Sequence, residues 1–258
     1  MCTVSWIHDK DGYQLLCNRD EKLTRKSALE PRPAVRNGTR FLAPVDGDFG
    51  GTWIGTNEFG VSACLLNGAN LTGSEICAAA APGRSRGLLL LDLIPLPSVA
   101  AICNRLKETD ISAFAPFTLA ALEPGHPAAV LEWDGSKKTL LFEEADRFML
   151  TSSSFDTEQV RRSRQEEYSH VHDSEELFAF HRSHAPERGA YSTCMHRADA
   201  ETVSFSWIQV SREGTDFFYT PGAPCKQLPG MRLKLTRRRS SDSSQQRQPR
   251  AGQAQEAS

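Results

Sequence analysis

The chain has 258 residues, 39 % of them hydrophobic and 24 % charged, with a formal charge of −2. These values exclude a wholly disordered or fibrous chain and allow one domain with a sizeable core. With 30 basic residues against 32 acidic ones, no overall excess of positive charge points to nucleic acid.

The charge is nevertheless uneven. Residues 231–258 hold seven basic and two acidic residues, which makes this stretch +5 and leaves −7 on the rest. The seven cysteines are odd in number and contain no CxxC pair. That argues against a disulfide framework and for a reducing, cytoplasmic setting. The first residues lack a basic n-region and an apolar h-region, so no signal peptide is expected. The longest apolar run, residues 87–96, contains Asp92 and Pro95 and is too short to span a bilayer.

In chain order, residues 3–8 and 13–17 read as a β-hairpin around Asp9-Lys10-Asp11-Gly12. Pro31, Pro33 and Asn37-Gly38 mark the polar stretch to residue 40 as loop. Thr52-Trp53-Ile54-Gly55 and residues 61–66 form a second hairpin that ends at Asn67-Gly68. Helical periodicity covers residues 87–94 and 98–107, separated by Pro95 and Pro97. Strands follow at 117–122, 129–133, 139–142 and 148–151, then helices at 156–168 and 174–181. Residues 202–210 and 217–220 form the last hairpin, and the Arg-, Ser- and Gln-rich residues 231–258 read as a disordered tail. Strands grouped as hairpins, with helices between the groups, indicate antiparallel sheets with helices packed outside. A single domain over residues 1–230 accommodates them.

Cys2 carries the chemical argument. Initiator Met is normally removed before so small a side chain, and the mature chain then starts at Cys2. One residue would hold a thiol with a reference pKa near 8.5 and an α-amine near 7.7–8.0, hence a nucleophile and its base. The first hairpin brings Asn18-Arg19-Asp20-Glu21 to that terminus in either of two registers. A turn centred on Lys10-Asp11 places Cys2 opposite Arg19, and an Asp11-Gly12 turn places it opposite Glu21. Arg19 can hold a thiolate by charge, and Asp20 or Glu21 can receive the α-ammonium. Asn67 offers an amide donor to an oxyanion. Residues 151–154 offer hydroxyls after a strand, or cap the helix that follows.

Met1-Cys2-Thr3-Val4, Asn18-Arg19-Asp20-Glu21, Gly50-Gly51-Thr52-Trp53-Ile54-Gly55, Leu65-Leu66-Asn67, Ser85-Arg86-Gly87 and Cys194-Met195-His196 together resemble the NRDE family, also called the transport-and-Golgi-organisation family. The resemblance covers most of residues 1–225. It implies an α+β fold, a four-layer αββα sandwich of two antiparallel sheets, similar to the N-terminal-nucleophile hydrolases. It also implies kinship with cysteine amidases acting on conjugated bile acids and penicillin V. Carried over residue by residue, it assigns the nucleophile to Cys2 and the neighbouring cation to Arg19. It assigns the amine-binding carboxylate to Asp20 and an oxyanion donor to Asn67. A second amidase Asn has no counterpart within residues 151–154, where Ser153 stands as the substitute. The expected activity is hydrolysis of a small non-peptide amide through a Cys2 thioester. The family's links to Golgi organisation, haem movement and lipid metabolism imply the alternative, a non-enzymatic protein that binds haem or an acyl lipid in the same pocket.

No nucleotide-cofactor motif occurs, and no cofactor is expected. His170 and His172 lie near Asp173 and Glu176 but lack a second ligand cluster; His181 and His184 sit at a helix end, and Cys194-Met195-His196 enters a strand. No metal centre is expected from these spacings. The expected partner is a small amide or a hydrophobic acyl or haem-like ligand, with no specific nucleic acid and no transmembrane segment, and an oligomer remains open.

Overall fold

The fold comes from a computed structural model that describes residues 2–68, 84–226 and 230–238. Six strands open the chain: β1 (Cys2–His8), β2 (Tyr13–Lys22), β3 (Leu29–Arg36), β4 (Thr39–Val45), β5 (Ile54–Asn57) and β6 (Ser62–Asn67). Helices α1 (Arg86–Leu93) and α2 (Val99–Glu108) follow, then strands β7 (Phe117–Leu122), β8 (Ala128–Trp133), β9 (Lys138–Glu143) and β10 (Arg147–Ser152). Helices α3 (Thr157–Tyr168) and α4 (Ser174–Arg182) precede β11 (Ala200–Val210), β12 (Gly214–Pro221) and β13 (Met231–Thr236).

The strands form two antiparallel sheets. One has the order β10-β1-β2-β11-β12-β13 and the other runs from β3 to β9 in sequence order. Alternation along β1 sorts its side chains between layers. Val4 and Trp6 join the apolar core between the sheets, together with Leu15, Ile54, Leu66 and Phe217. Ile7 packs outward with Leu16, against Leu177 and Phe180 of α4. On the other outer face, Val99, Ile102, Cys103 and Leu106 of α2 repeat at helical spacing and cover Leu119, Ala121 and Leu131. The result is an αββα sandwich.

Each of the ten strands and four helices expected from the sequence has a counterpart, and three strands were missed. β3 holds Pro31 and Pro33, which lack N–H donors and read as loop; it is an edge strand, where missing donors are tolerated. Asn37 and Gly38 make the turn into β4 with φ of 51° and 75°, the left-handed pair of a tight hairpin. β13 lies beyond the boundary drawn at residue 230. Leu235 is buried, while Arg232 and Lys234 meet Asp216 at 2.9 and 3.7 Å. Six residues inside a basic stretch are too few for that alternation to stand out. The expectation for residues 239–258 lies outside the described residues.

Candidate active site

The first hairpin adopts the register that pairs Cys2 with Arg19. The two side chains therefore share a face of the sheet, and both line a cavity of about 360 Å³ with Glu21, Trp53 and Asn67. Cys2 starts a central strand: Arg19 faces it from β2 and Ser152 from β10. Its sulfur is buried. A hydrogen bond from Cys17 pulls the Cys2 thiol below its ordinary pKa, against the opposing effect of burial and with help from the Arg19 charge. The Cys17 thiol is pushed well up by the same hydrogen bond and by burial.

Arg19 is fixed on three sides. Its guanidinium meets Asp46 at 2.5 Å and Glu21 at 3.6 Å, and lies 4.3 Å from the centre of the Trp53 ring. Asp46 also accepts from Arg25 at 2.6 Å. Arg84 and Arg86 complete the cavity's cations, so four arginines face two carboxylates, Glu21 and Asp46, on the wall. Arg86 donates to the Pro116 carbonyl at 2.7 Å.

Backbone contact sets the position of Arg86. The Thr52 amide donates to the Gly87 carbonyl at 3.1 Å. A Cβ on Gly87 would stand 2.8 Å from backbone atoms of Thr52, and one on Gly51 would stand 2.6 Å from Gly87. Gly51-Thr52-Trp53 and Ser85-Arg86-Gly87 are thus two halves of one close approach, which seats the start of α1 at the cavity beside Cys2.

Alternation turns Asn18 and Asp20 away from Arg19, toward the helices. The Asn18 amide donates to the carbonyls of His181 and Thr193, both at 2.9 Å. Its oxygen lies 3.0 Å from His181 Nδ1, and His181 Nε2 lies 2.7 Å from Ser5 Oγ. Burial, reinforced by the Arg164 charge, lowers the His181 pKa to about 3, so this ring is neutral. Asp20 accepts from Thr202 Oγ1 at 2.7 Å and faces Arg164 at 3.3 Å. A bulge in β11 between Thr202 and Ser204, opposite Asp20 and Arg19, interrupts the ladder at this point.

Arg164 was not foreseen. It occupies the inward row of α3 with Val160 and Tyr168 and is almost wholly buried. It donates to Thr3 Oγ1 at 2.5 Å and Thr151 Oγ1 at 3.1 Å, so it ties the Asp20 carboxylate of β2 to the nucleophile's own strand β1 and to β10 on its other side. The available signal was an Arg four residues from both Val160 and Tyr168, on the apolar stripe of a charged helix.

Asn67 ends β6 at the cavity wall. Ser153 is placed differently. Its hydroxyl donates to the Phe155 carbonyl at 2.5 Å and accepts from the Phe155 amide at 3.0 Å, a local turn before α3. The neighbouring Ser152, opposite Cys2, has a buried hydroxyl with no hydrogen-bond partner among the described residues.

The spacings point to no metal centre, yet one set of metal-ligating side chains does come together. Among the described residues His170 and His172 gather no set of ligands, but His184, Cys194, His196 and Cys225 place one ligand atom each within 4.8 Å of one another. Three of the four come from the connection between α4 and β11 and the fourth from the connection after β12, so spacing along the chain does not reveal them. The six described cysteines are all free thiols. No helix among the described residues is long and apolar enough to cross a membrane.

Comparisons with solved structures find this fold among hydrolases. A Caenorhabditis elegans N-acylethanolamine-hydrolyzing acid amidase ortholog matches with a TM-score of 0.60 at 13 % identity, covering 80 % of this chain and 92 % of its own. Penicillin V acylase from Agrobacterium tumefaciens matches at 0.52 and 12 % identity, covering 92 % and 86 %. A mutant of conjugated bile acid hydrolase from Clostridium perfringens matches at 0.52 and 14 % identity, covering 92 % and 97 %. Comparison with curated proteins finds no match. These likenesses establish the fold as N-terminal-nucleophile hydrolase-like, with a buried cysteine at the start of β1. Residues 1–206 match the family described as Transport and Golgi organisation 2, and the chain belongs to that family.

Proposed function

We propose that the chain is a cysteine hydrolase that cleaves a small non-peptide amide through a thioester on Cys2. The observation that carries this reading is the Cys2–Arg19 register, which puts a thiol of lowered pKa and a fixed guanidinium on one cavity wall. In the mature chain, starting at Cys2, the α-amine takes the thiol proton and the sulfur attacks the amide carbon. The Asn67 amide donates to the resulting oxyanion. The proton passes to the leaving amine, and the C–N bond breaks to give the thioester. Water, deprotonated by the same amine, then releases the acid and restores the thiol. Asp20 supports the start of β1 through Arg164 and Thr3. Ser152, rather than the turn-bound Ser153, is the better-placed second hydroxyl.

The cavity wall narrows the substrate class. Arg19, Arg25, Arg84 and Arg86 outnumber Glu21 and Asp46, while Trp53, Leu65 and Phe49 supply apolar surface. This combination favours an N-acyl compound with an anionic group close to an apolar chain. The same surface suits an amphipathic carboxylate held without turnover, which is the binding-protein alternative. The test is a panel of N-acyl amino acids and N-acyl amines offered to the parent and to Cys2→Ser. Hydrolysis by the parent and its loss in the variant support the enzyme. Retained ligand binding, with no amide cleaved by the parent, supports the alternative.

A further inference from the structure

The four-residue cluster behind the active site has the composition and spacing of a structural zinc centre. His184 follows α4, Cys194 and His196 lie in the connection to β11, and Cys225 lies in the turn after β12. His196 Nε2 is 3.6 Å from Cys194 Sγ and 3.3 Å from Cys225 Sγ. With Zn–S near 2.3 Å and Zn–N near 2.0–2.1 Å, a tetrahedral edge between sulfur and nitrogen is about 3.6 Å. These two edges therefore need little adjustment, and all four ligand atoms lie within 4.8 Å of one another. Two independent features support the assignment. His184 Nε2 is buried and has no hydrogen-bond partner among the described residues. The other ring nitrogen of His196, Nδ1, faces Glu201 Oε2 at 3.6 Å, and Lys226 holds the same oxygen at 3.1 Å. A carboxylate behind a ligating imidazole fixes the ring and sharpens its second nitrogen toward the metal.

We propose that His184, Cys194, His196 and Cys225 bind one zinc ion in a closed Cys2His2 site, and that this ion clamps the 193–196 segment against the Asn18–Asp20 edge of β2. The two cysteines enter as thiolates and their two protons pass to solvent, so the filled site adds no net charge to the fold. The clamp has a definite load. Asn18 donates to the Thr193 carbonyl at 2.9 Å. The Met195 amide donates to Thr202 Oγ1 at 2.9 Å, and Thr202 Oγ1 donates to Asp20 at 2.7 Å. Zinc on Cys194 and His196 would hold both neighbours of Met195 and one neighbour of Thr193, and so fix the segment that two residues of the Asn-Arg-Asp-Glu motif grip. Cys225 borders an open surface cavity of about 590 Å³, which gives the ion a route in. The inference is independent of the hydrolase reading, since it uses neither Cys2 nor its cavity.

The test uses the untagged full chain, kept reduced and stripped with a chelator, then titrated with cobalt(II) and with zinc. One cobalt per chain is expected, with strong tetrahedral ligand-field bands and a thiolate-to-cobalt charge-transfer band; zinc should displace it and raise the melting temperature. Because Cys194 is wholly buried, the primary variant is the partly exposed Cys225→Ser, with His196→Gln beside it. Each should weaken metal binding at least tenfold, and Cys225→Ser should lose about half of the charge-transfer intensity. Glu201→Gln should keep the spectrum and lose roughly 10–100-fold in affinity. Absence of stoichiometric uptake by the reduced parent would overturn the proposal, as would weak octahedral bands alone. A spectrum unchanged in Cys225→Ser would do the same, because it would place the metal on other thiols.

Discussion

At the scale of single residues, four side chains divide the chemistry at the cavity, and their loss should show itself in three different ways. Cys2→Ser removes little volume and should leave the fold intact, yet abolish turnover, because a hydroxyl is a far poorer nucleophile near neutral pH. Cys17→Ala deletes the hydrogen bond that does most to lower the Cys2 pKa. The pH midpoint for alkylation of Cys2 should therefore rise, and the rate should fall most below that midpoint. Arg19→Ala should shift the profile the same way by a smaller amount. Asn67→Ala should leave alkylation nearly untouched and slow acyl transfer about a hundredfold, since an oxyanion develops only in the latter. Iodoacetamide labelling followed across pH, set against single-turnover acylation of the same variants, separates the two kinds of loss. A parallel fall in both for Asn67→Ala would remove it from the oxyanion role.

At the scale of elements, the motif residues make sense as joints. In Asn18-Arg19-Asp20-Glu21 the period of two sends Arg19 and Glu21 to the cavity and Asn18 and Asp20 to the helix side. One tetrapeptide thus serves two layers. Arg164→Met would leave the Asp20 carboxylate buried without its guanidinium and should cost about 3–5 kcal/mol. Asp20→Asn in the same chain should recover part of that loss, read as the urea midpoint. Gly87→Ala should separate α1 from Thr52 and impair labelling of Cys2 through displacement of the Arg86 segment. Both joints show what the sequence could reveal. Hairpins and helices were legible because turn residues and apolar periods are local signals, and the Cys2–Arg19 pairing was one of two registers that turn geometry allowed. The Gly51–Gly87 contact and the place of Arg164 depend on segments distant in the chain. The same holds for the gathering of His184, Cys194, His196 and Cys225. The proline-bearing β3 and the basic β13 were misread because an edge strand tolerates residues that local propensity assigns to loops.

At the scale of the whole molecule, buried neutral histidine makes the fold sensitive to acid. The His181 ring has a pKa of about 3 in the folded chain, against an ordinary value near 6.5. Between those limits the unfolded chain binds a proton that the folded chain refuses. Stability from this group is complete above about pH 6.5 and falls on acidification, by up to about 1.4 kcal/mol per pH unit, until the folded ring itself protonates. Burial lowers the pKa of His8 as well, and it acts in the same direction. His181→Asn should flatten the slope between pH 6 and pH 4, roughly the window in which only the unfolded ring titrates; an equally steep slope in the variant would place the acid sensitivity elsewhere. The two-sheet architecture explains why Cys2 is held so firmly, since strands on both sides flank it within the core of one sheet. The central claim is that this cysteine begins the mature chain and acts through its own amine. Intact-mass analysis of the purified chain, before and after brief exposure to a thiol electrophile, tests it most directly. The account predicts a chain without Met1 and a single adduct mapped to Cys2. A chain that keeps Met1, carries a blocked Cys2, or takes up the probe on other cysteines first would contradict it.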